Sequence, residues 1–275
     1  MKKLNLLAFV FALLMGVSFT SCLNSDSDPY NYGSQLAKMY NDGYMGGYYF
    51  KTSEGITITP TAESMNSFKT NNSTLDLSKY VGQVMQISYR WNAELMDIPA
   101  DATEITGVEM MSMMPLNAPV EIVEMEGAQN DSVDNAAVIS LEKDIMGYTY
   151  KPYFFDETTL VVPVEYYMSS NGGKLHYLSL AYYPNEVNEN LTVRLKHNSN
   201  GDYDRTGETS VNWASMGYLS LYYKVFDLMK VYHRSGVMDH PVIDLVYNKN
   251  SASSKLDDSR TEKNVIYSVL RDAEK

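Results

Sequence analysis

Past residue 30, apolar and polar residues alternate with a period of two over short runs separated by turn residues, the pattern of half-buried strands. Tyr44 to Lys51, Ile56 to Thr59, Val81 to Arg90 and Glu104 to Met114 form a first series, and Pro60 and Pro115 interrupt it. A second series runs through Ala137–Leu141, Thr159–Met168, Lys174–Tyr183, Leu191–His197, Gly217–Val225 and Val242–Tyr247. Asn171-Gly172-Gly173 reads as a hairpin turn, because its glycines reach positive φ without penalty. Leu191, Val193 and Leu195 face one way and Thr192, Arg194 and Lys196 the other, which predicts a sheet with one wet face. Almost no segment sustains a helical period. The pattern predicts an all-β chain: a small OB-like barrel over 33–117, then an antiparallel β-sandwich over 118–250. Residues 251–275 read as a polar tail, with Val265–Leu270 as a further strand or short helix.

The first 21 residues have a different grammar. Lys2 and Lys3 precede an apolar run from Leu6 to Val17, which is shorter than the ~20 residues a membrane-spanning helix needs and suits a secretory signal. The run ends at Phe19-Thr20-Ser21-Cys22, small residues before a cysteine as in a lipobox. Cys22 is the one cysteine of the 275 residues, so no intrachain disulfide competes for its sulfur. The expectation is a chain cleaved before Cys22 and held on the outer membrane by lipid on that residue, at the cell surface or on the periplasmic face. Several acyl chains hold a protein stably where one is marginal, at about 0.8 kcal/mol per buried CH₂. Residues 22–32 then read as an acidic tether, Asp26 and Asp28 alternating with serine.

Composition narrows the possible partners. The formal charge is −12, which argues against nucleic acid and against anionic head groups as charge partners. The chain holds 23 tyrosines against 8 phenylalanines and 2 tryptophans, several in pairs such as Tyr48-Tyr49 and Tyr182-Tyr183. Tyrosine suits a half-wet sheet face, and the same rings could stack on a glycan or a protein partner.

One stretch resembles a known family. Gly173-Lys174-Leu175-His176-Tyr177-Leu178-Ser179-Leu180 and Leu191 to Asp202, through Arg194-Leu195-Lys196-His197-Asn198, are similar to two successive strands of the NigD-like lipoproteins of Bacteroidetes, with Lys196 where arginine is usual. The resemblance implies an OB-like domain joined to a β-sandwich, and an envelope role guessed to be bacteriocin immunity. It brings no catalytic residues.

Candidate chemistry is sparse. His176 and His197 sit in strand patterns and, with Asp202 or Asp204, could form a weak binding site; the spacing matches no metal motif, so no metal is expected. Met110, Met111, Met113 and Met114 read as core filling over soft-metal ligation, alternation placing Met111 and Met113 on one face and Met110 and Met114 on the other. Asp131-Ser132-Val133 matches a short O-glycosylation sequon, with Ser132 as acceptor. No nucleophile elbow, phosphate loop or dinucleotide fingerprint is present, so no catalytic residue and no cofactor are expected. The reading that follows is a non-catalytic envelope module with an unknown protein or glycan ligand. A structural component of a surface assembly and a hydrolase of envelope polymers are the alternatives; oligomeric state is open.

Overall fold

The computed structural model describes residues 29–43, 47–71, 76–124, 134–145, 148–167, 175–186, 188–202, 223–238 and 240–271. The signal segment, Cys22, most of the tether, the 171–173 turn, Ser132 and Asp204 lie outside them. The chain divides into two compact units, at Leu116 and Asn117. Among the described residues no helix is long and apolar enough to cross a membrane.

The first unit is a closed barrel of five strands: β1 (Tyr30–Asn41), β2 (Tyr48–Lys51), β3 (Thr57–Pro60), β4 (Val84–Asn92) and β5 (Glu104–Pro115). Their order around the barrel is β1-β2-β3-β5-β4, with β3 and β5 parallel and β1 closing on β4. This is OB-like. Alternation explains the filling: Ala37 and Met39 of β1, Phe50, Ile58, Ile87 and Val108 all point inward and are fully buried. Gly33 also faces inward, where a Cβ would stand 2.5 Å from the Tyr89 ring. Glycine there makes room for Tyr89, whose hydroxyl accepts a hydrogen bond from Gln35 Nε2 at 3.0 Å.

The helix α1 (Ala62–Asn71) follows β3 and has little sequence periodicity. Thr61 caps it, its hydroxyl accepting from the Ser64 N–H at 3.1 Å, and Met65 and Phe68 reach the barrel core from one face. Two apolar contacts are enough once the barrel supplies the opposing surface.

A bulge corrects the expected facing of the methionines. Ser88 pairs with Ser112 but Tyr89 pairs with Met110, so Met111 is the extra residue. The slip carries Met110 inward, 8% exposed, and leaves Met111 at 49%; Met113 packs against the core and Met114 is exposed. Met110 and Met113 therefore share the inner side, and Met111 and Met114 the outer. The Ser64 hydroxyl of α1 accepts the Met110 N–H at 2.7 Å, which pins the bulge.

The second unit packs a five-stranded sheet against a smaller one. The short strands β6 (Val120–Ile122), β7 (Lys143–Ile145), β8 (Tyr148–Tyr150) and β9 (Tyr153–Phe154) precede β10 (Thr159–Pro163). Then come β11 (Tyr177–Tyr182), β12 (Leu191–Asn198), β13 (Tyr223–Asp227), the helix α2 (Met229–Ser235), β14 (Val242–Lys249) and β15 (Glu262–Leu270). The large sheet runs β15-β14-β12-β11-β6, the small one β13-β10-β9, and β7 and β8 pair separately. Leu180, Val193, Leu195, Ile243 and Leu245 of the large sheet share one core with Leu160, Val162 and Phe226 of the small one and with Val231 and Tyr232 of α2. Two pairs, β6–β11 and β12–β14, are parallel within this otherwise antiparallel architecture. The segment expected as a polar tail carries β15, which pairs with β14 from Leu270 back to Glu262. Its polar lead-in is folded too: Asn250 and Ser254 are buried, and Asn250 Oδ1 accepts from the N–H groups of Ala252 and Ser253.

Candidate functional site

Two clusters merit attention, one in each unit. The first gathers three of the residues singled out from sequence. Leu178 of β11 pairs with His197 of β12. His176 lies two residues before Leu178, so period-two geometry puts its side chain on the same face, diagonal to His197. His176 Nδ1 and His197 Nε2 are 2.8 Å apart. After β12, Asn200 and Gly201 take positive φ of 53° and 75° and turn the chain back, and Asp202 Oδ2 reaches His176 Nε2 at 3.0 Å. His197 Nδ1 faces the Ala137 carbonyl at 3.2 Å. Tyr166 stacks on His176, ring centroids 4.9 Å apart.

Counting protons along this row defines its chemistry. The Ala137 carbonyl can only accept, so His197 Nδ1 donates to it, and one further proton lies between His197 Nε2 and His176 Nδ1. With the contact to Asp202 the row holds three protons, one more than two neutral imidazoles carry, so His176 or His197 is an imidazolium or Asp202 is protonated. Among the described residues, one end of the row meets the Ala137 carbonyl, where a hydrolytic triad would place its nucleophile or its acid. His176, His197 and Asp202 are 5%, 1% and 7% exposed, so the row is buried. Their donor atoms point at one another and share no common point for an ion, and the described residues contain no metal-type cluster of three. The geometry makes the row a structural clasp. It ties β11, β12 and the 134–138 segment together, and the Asp134 carboxylate and Asn135 add bonds to the backbone of His197 and Ser199. Asp204, the fourth candidate, lies outside the described residues.

The second cluster is open to solvent and lies on the barrel. Tyr40 of β1 and Tyr49 of β2 are register partners, so their outward rings stack at 5.3 Å and 12°. Lys51, two residues beyond Tyr49, lies over both rings, its Nζ 5.8 and 5.7 Å from the centroids. Lys69 in the last turn of α1 lies 5.0 Å over the ring of Tyr48. Between the outer side of β2–β3 and α1 runs a groove of about 590 Å³, lined by Tyr48, Tyr49, Lys51, Thr57, Thr59, Asn66 and Lys69 among others. That size is in the range of small-ligand sites. Lys51 and Lys69 contact aromatic faces and no described carboxylate pairs with either. Asp42 is the one acid among the described lining residues.

Sequence reading marked the Tyr48-Tyr49 pair but missed the groove. Lys51 and Lys69 are ordinary surface lysines until the barrel closes and α1 docks beside β2 and β3. The Thr61 cap followed by Met65 and Phe68 was the available signal for that helix.

Comparison with known proteins agrees with this architecture. No family model matches the chain, and no curated protein does. Among solved structures, a candidate lipoprotein from Bacteroides fragilis matches with a TM-score of 0.63 at 17% identity, over 89% of this chain and 100% of that one. A NigD-like immunity protein from Bacteroides caccae matches with a TM-score of 0.40 at 13% identity, over 85% of this chain and 88% of that one. At 17% identity the likeness to the B. fragilis protein concerns the fold, and what this chain shares with it is an all-β architecture across nearly its whole length.

Proposed function

We propose that the protein is a lipid-anchored module of the bacterial outer envelope that binds a ligand without transforming it, and that the barrel groove is its binding surface. The observation that carries this reading is the contrast between the two clusters. The histidine row is buried and its described contacts run among its own members and Ala137, whereas the groove is lined by Tyr48, Tyr49, two threonines and two lysines and opens to solvent. The lipobox at Cys22 and the Ser25-Asp26-Ser27-Asp28 stretch support anchoring and surface display. The name of the B. fragilis structure agrees with a lipoprotein.

The test is fractionation with affinity capture. Wild-type protein should partition with membranes and be shaved from intact cells by protease, while Cys22→Ala should appear in the soluble fraction. Detergent-solubilised wild type should retain an envelope component that Tyr49→Ala loses. Retention unaffected by Tyr49→Ala would move the binding surface elsewhere. A second reading, assembly into a surface layer, has one observation in its favour. The nine-residue edge strand β15 leaves Ile266 and Leu270 exposed, at 61% and 71%. It predicts concentration-dependent self-association, where a binding module stays monomeric.

A further inference from the structure

We propose that the groove takes an acidic saccharide, a glycan bearing uronate or a similar carboxylated sugar; this rests on the groove being the binding surface. Three features point to that chemistry. The first is charge. On a chain of net charge −12, two ammonium groups flank one groove, and neither is neutralised by a described carboxylate. Lys51 is exposed and hovers over the Tyr40–Tyr49 stack, a cation–π contact that is weak at an exposed site, so a carboxylate can engage it cheaply. Lys69 is placed similarly on Tyr48.

The second feature is the aromatic wall. A pyranose has one face of C–H groups, and a tyrosine ring offers a matching apolar face with a polar tip. The third is the polar lining: Thr57 and Thr59 line the groove from alternate positions of β3, and Asn66 lines it from α1. Sugar hydroxyls need such short-range donors and acceptors. An ammonium–carboxylate hydrogen bond then adds the discrimination that neutral contacts lack.

A single-stranded nucleic acid also uses tyrosines and lysines, but it needs a continuous basic track for its backbone. Two lysines on a strongly acidic chain do not make one. An acidic peptide would satisfy the lysines and leave the hydroxyl row and the ring faces underused.

The experiment is binding of the full-length protein, purified in detergent, to an array of uronate-, sialate- and neutral-saccharide oligomers, with oligoglutamate and oligothymidylate beside them. Hits are then measured by calorimetry. At least one carboxylated saccharide should bind, and its carboxyl-reduced counterpart should bind roughly tenfold more weakly or worse. The Lys51→Gln/Lys69→Gln variant should lose a similar factor, with an unchanged circular dichroism spectrum showing that the barrel is intact. The charge-retaining Lys51→Arg/Lys69→Arg variant should keep most of the binding. No carboxylated saccharide bound, equal binding of the carboxyl-reduced form, or tighter binding of oligoglutamate or oligothymidylate would overturn the proposal. A neutral saccharide that binds and is lost in Tyr49→Ala would overturn the acidic class while leaving the groove as the binding surface. If nothing in the array or in an envelope extract binds in a Tyr49-dependent way, both readings fall.

Discussion

At the scale of single residues, the barrel interior hides one polar pair with a measurable signature. Tyr89 faces the core, 4% exposed, and burial pushes its phenol up to about 12. The bond from Gln35 Nε2 favours the phenolate, yet desolvation outweighs it. An unfolded tyrosine ionises near pH 10, two units earlier. Between those values the folded chain holds a proton that the unfolded chain has released, so stability falls as pH rises. The stabilisation is whole below pH 10 and lost through pH 12, on the order of 3 kcal/mol. Urea unfolding at intervals from pH 9.5 to 12 should show this fall for the wild-type barrel and a shallower slope for Tyr89→Phe. Parallel curves would place the titration elsewhere. The removal has its own neutral-pH cost, because Gln35 Nε2 then loses its acceptor while Gln35 Oε1 already has no partner. The histidines show the same limit on sequence reading. His176 and His197 stood out for their chemistry, but their meaning came from a backbone carbonyl sixty positions upstream of His197.

At the scale of elements, alternation was the most legible signal and also the one most easily displaced. β12 reads from sequence as it folds, buried at Leu191, Val193, Leu195 and His197. In β5 the bulge after Met110 shifts the later residues by one, which no hydrophobic pattern could announce among four methionines. Met110→Ala should therefore destabilise the barrel by about 2–5 kcal/mol as a buried truncation. Met111→Ala should stay within about 0.5 kcal/mol, as an exposed change. Chemical denaturation of the two variants distinguishes this register from an unbulged one that buries Met111 in place of Met110. The strand β1 (Tyr30–Asn41) went unread because its inward positions include Gly33, Gln35 and Ala37, which carry little apolar contrast.

At the scale of the whole molecule, two units with separate cores predict separable behaviour. The last strand is the sharpest place to see it. β15 covers one edge of β14 and contributes Val269, 3% exposed, to the sandwich core. Truncation after Thr261 would strip those backbone bonds and bare the β14 edge. Calorimetry of the truncated chain should show the sandwich transition lost or lowered by many degrees and the barrel transition kept. Loss of neither would return residues 251–275 to the status of a tail.

The sequence by itself determined the all-β class and the face each regular strand turns inward, and it carried the expectations of a break after residue 117 and a lipobox at Cys22. Each is a local property: period two sets facing, proline and glycine set stops, and a signal peptide is read in one dimension. Only the tertiary structure decided which strands pair, the parallel closure of β3 on β5, the bulge at Met111, the docking of α1 and the clasp of His176, His197 and Asp202. Those depend on partners tens of residues away. The groove belongs with them, because lysines on a strand and a helix converge on one ligand surface only after the barrel has closed.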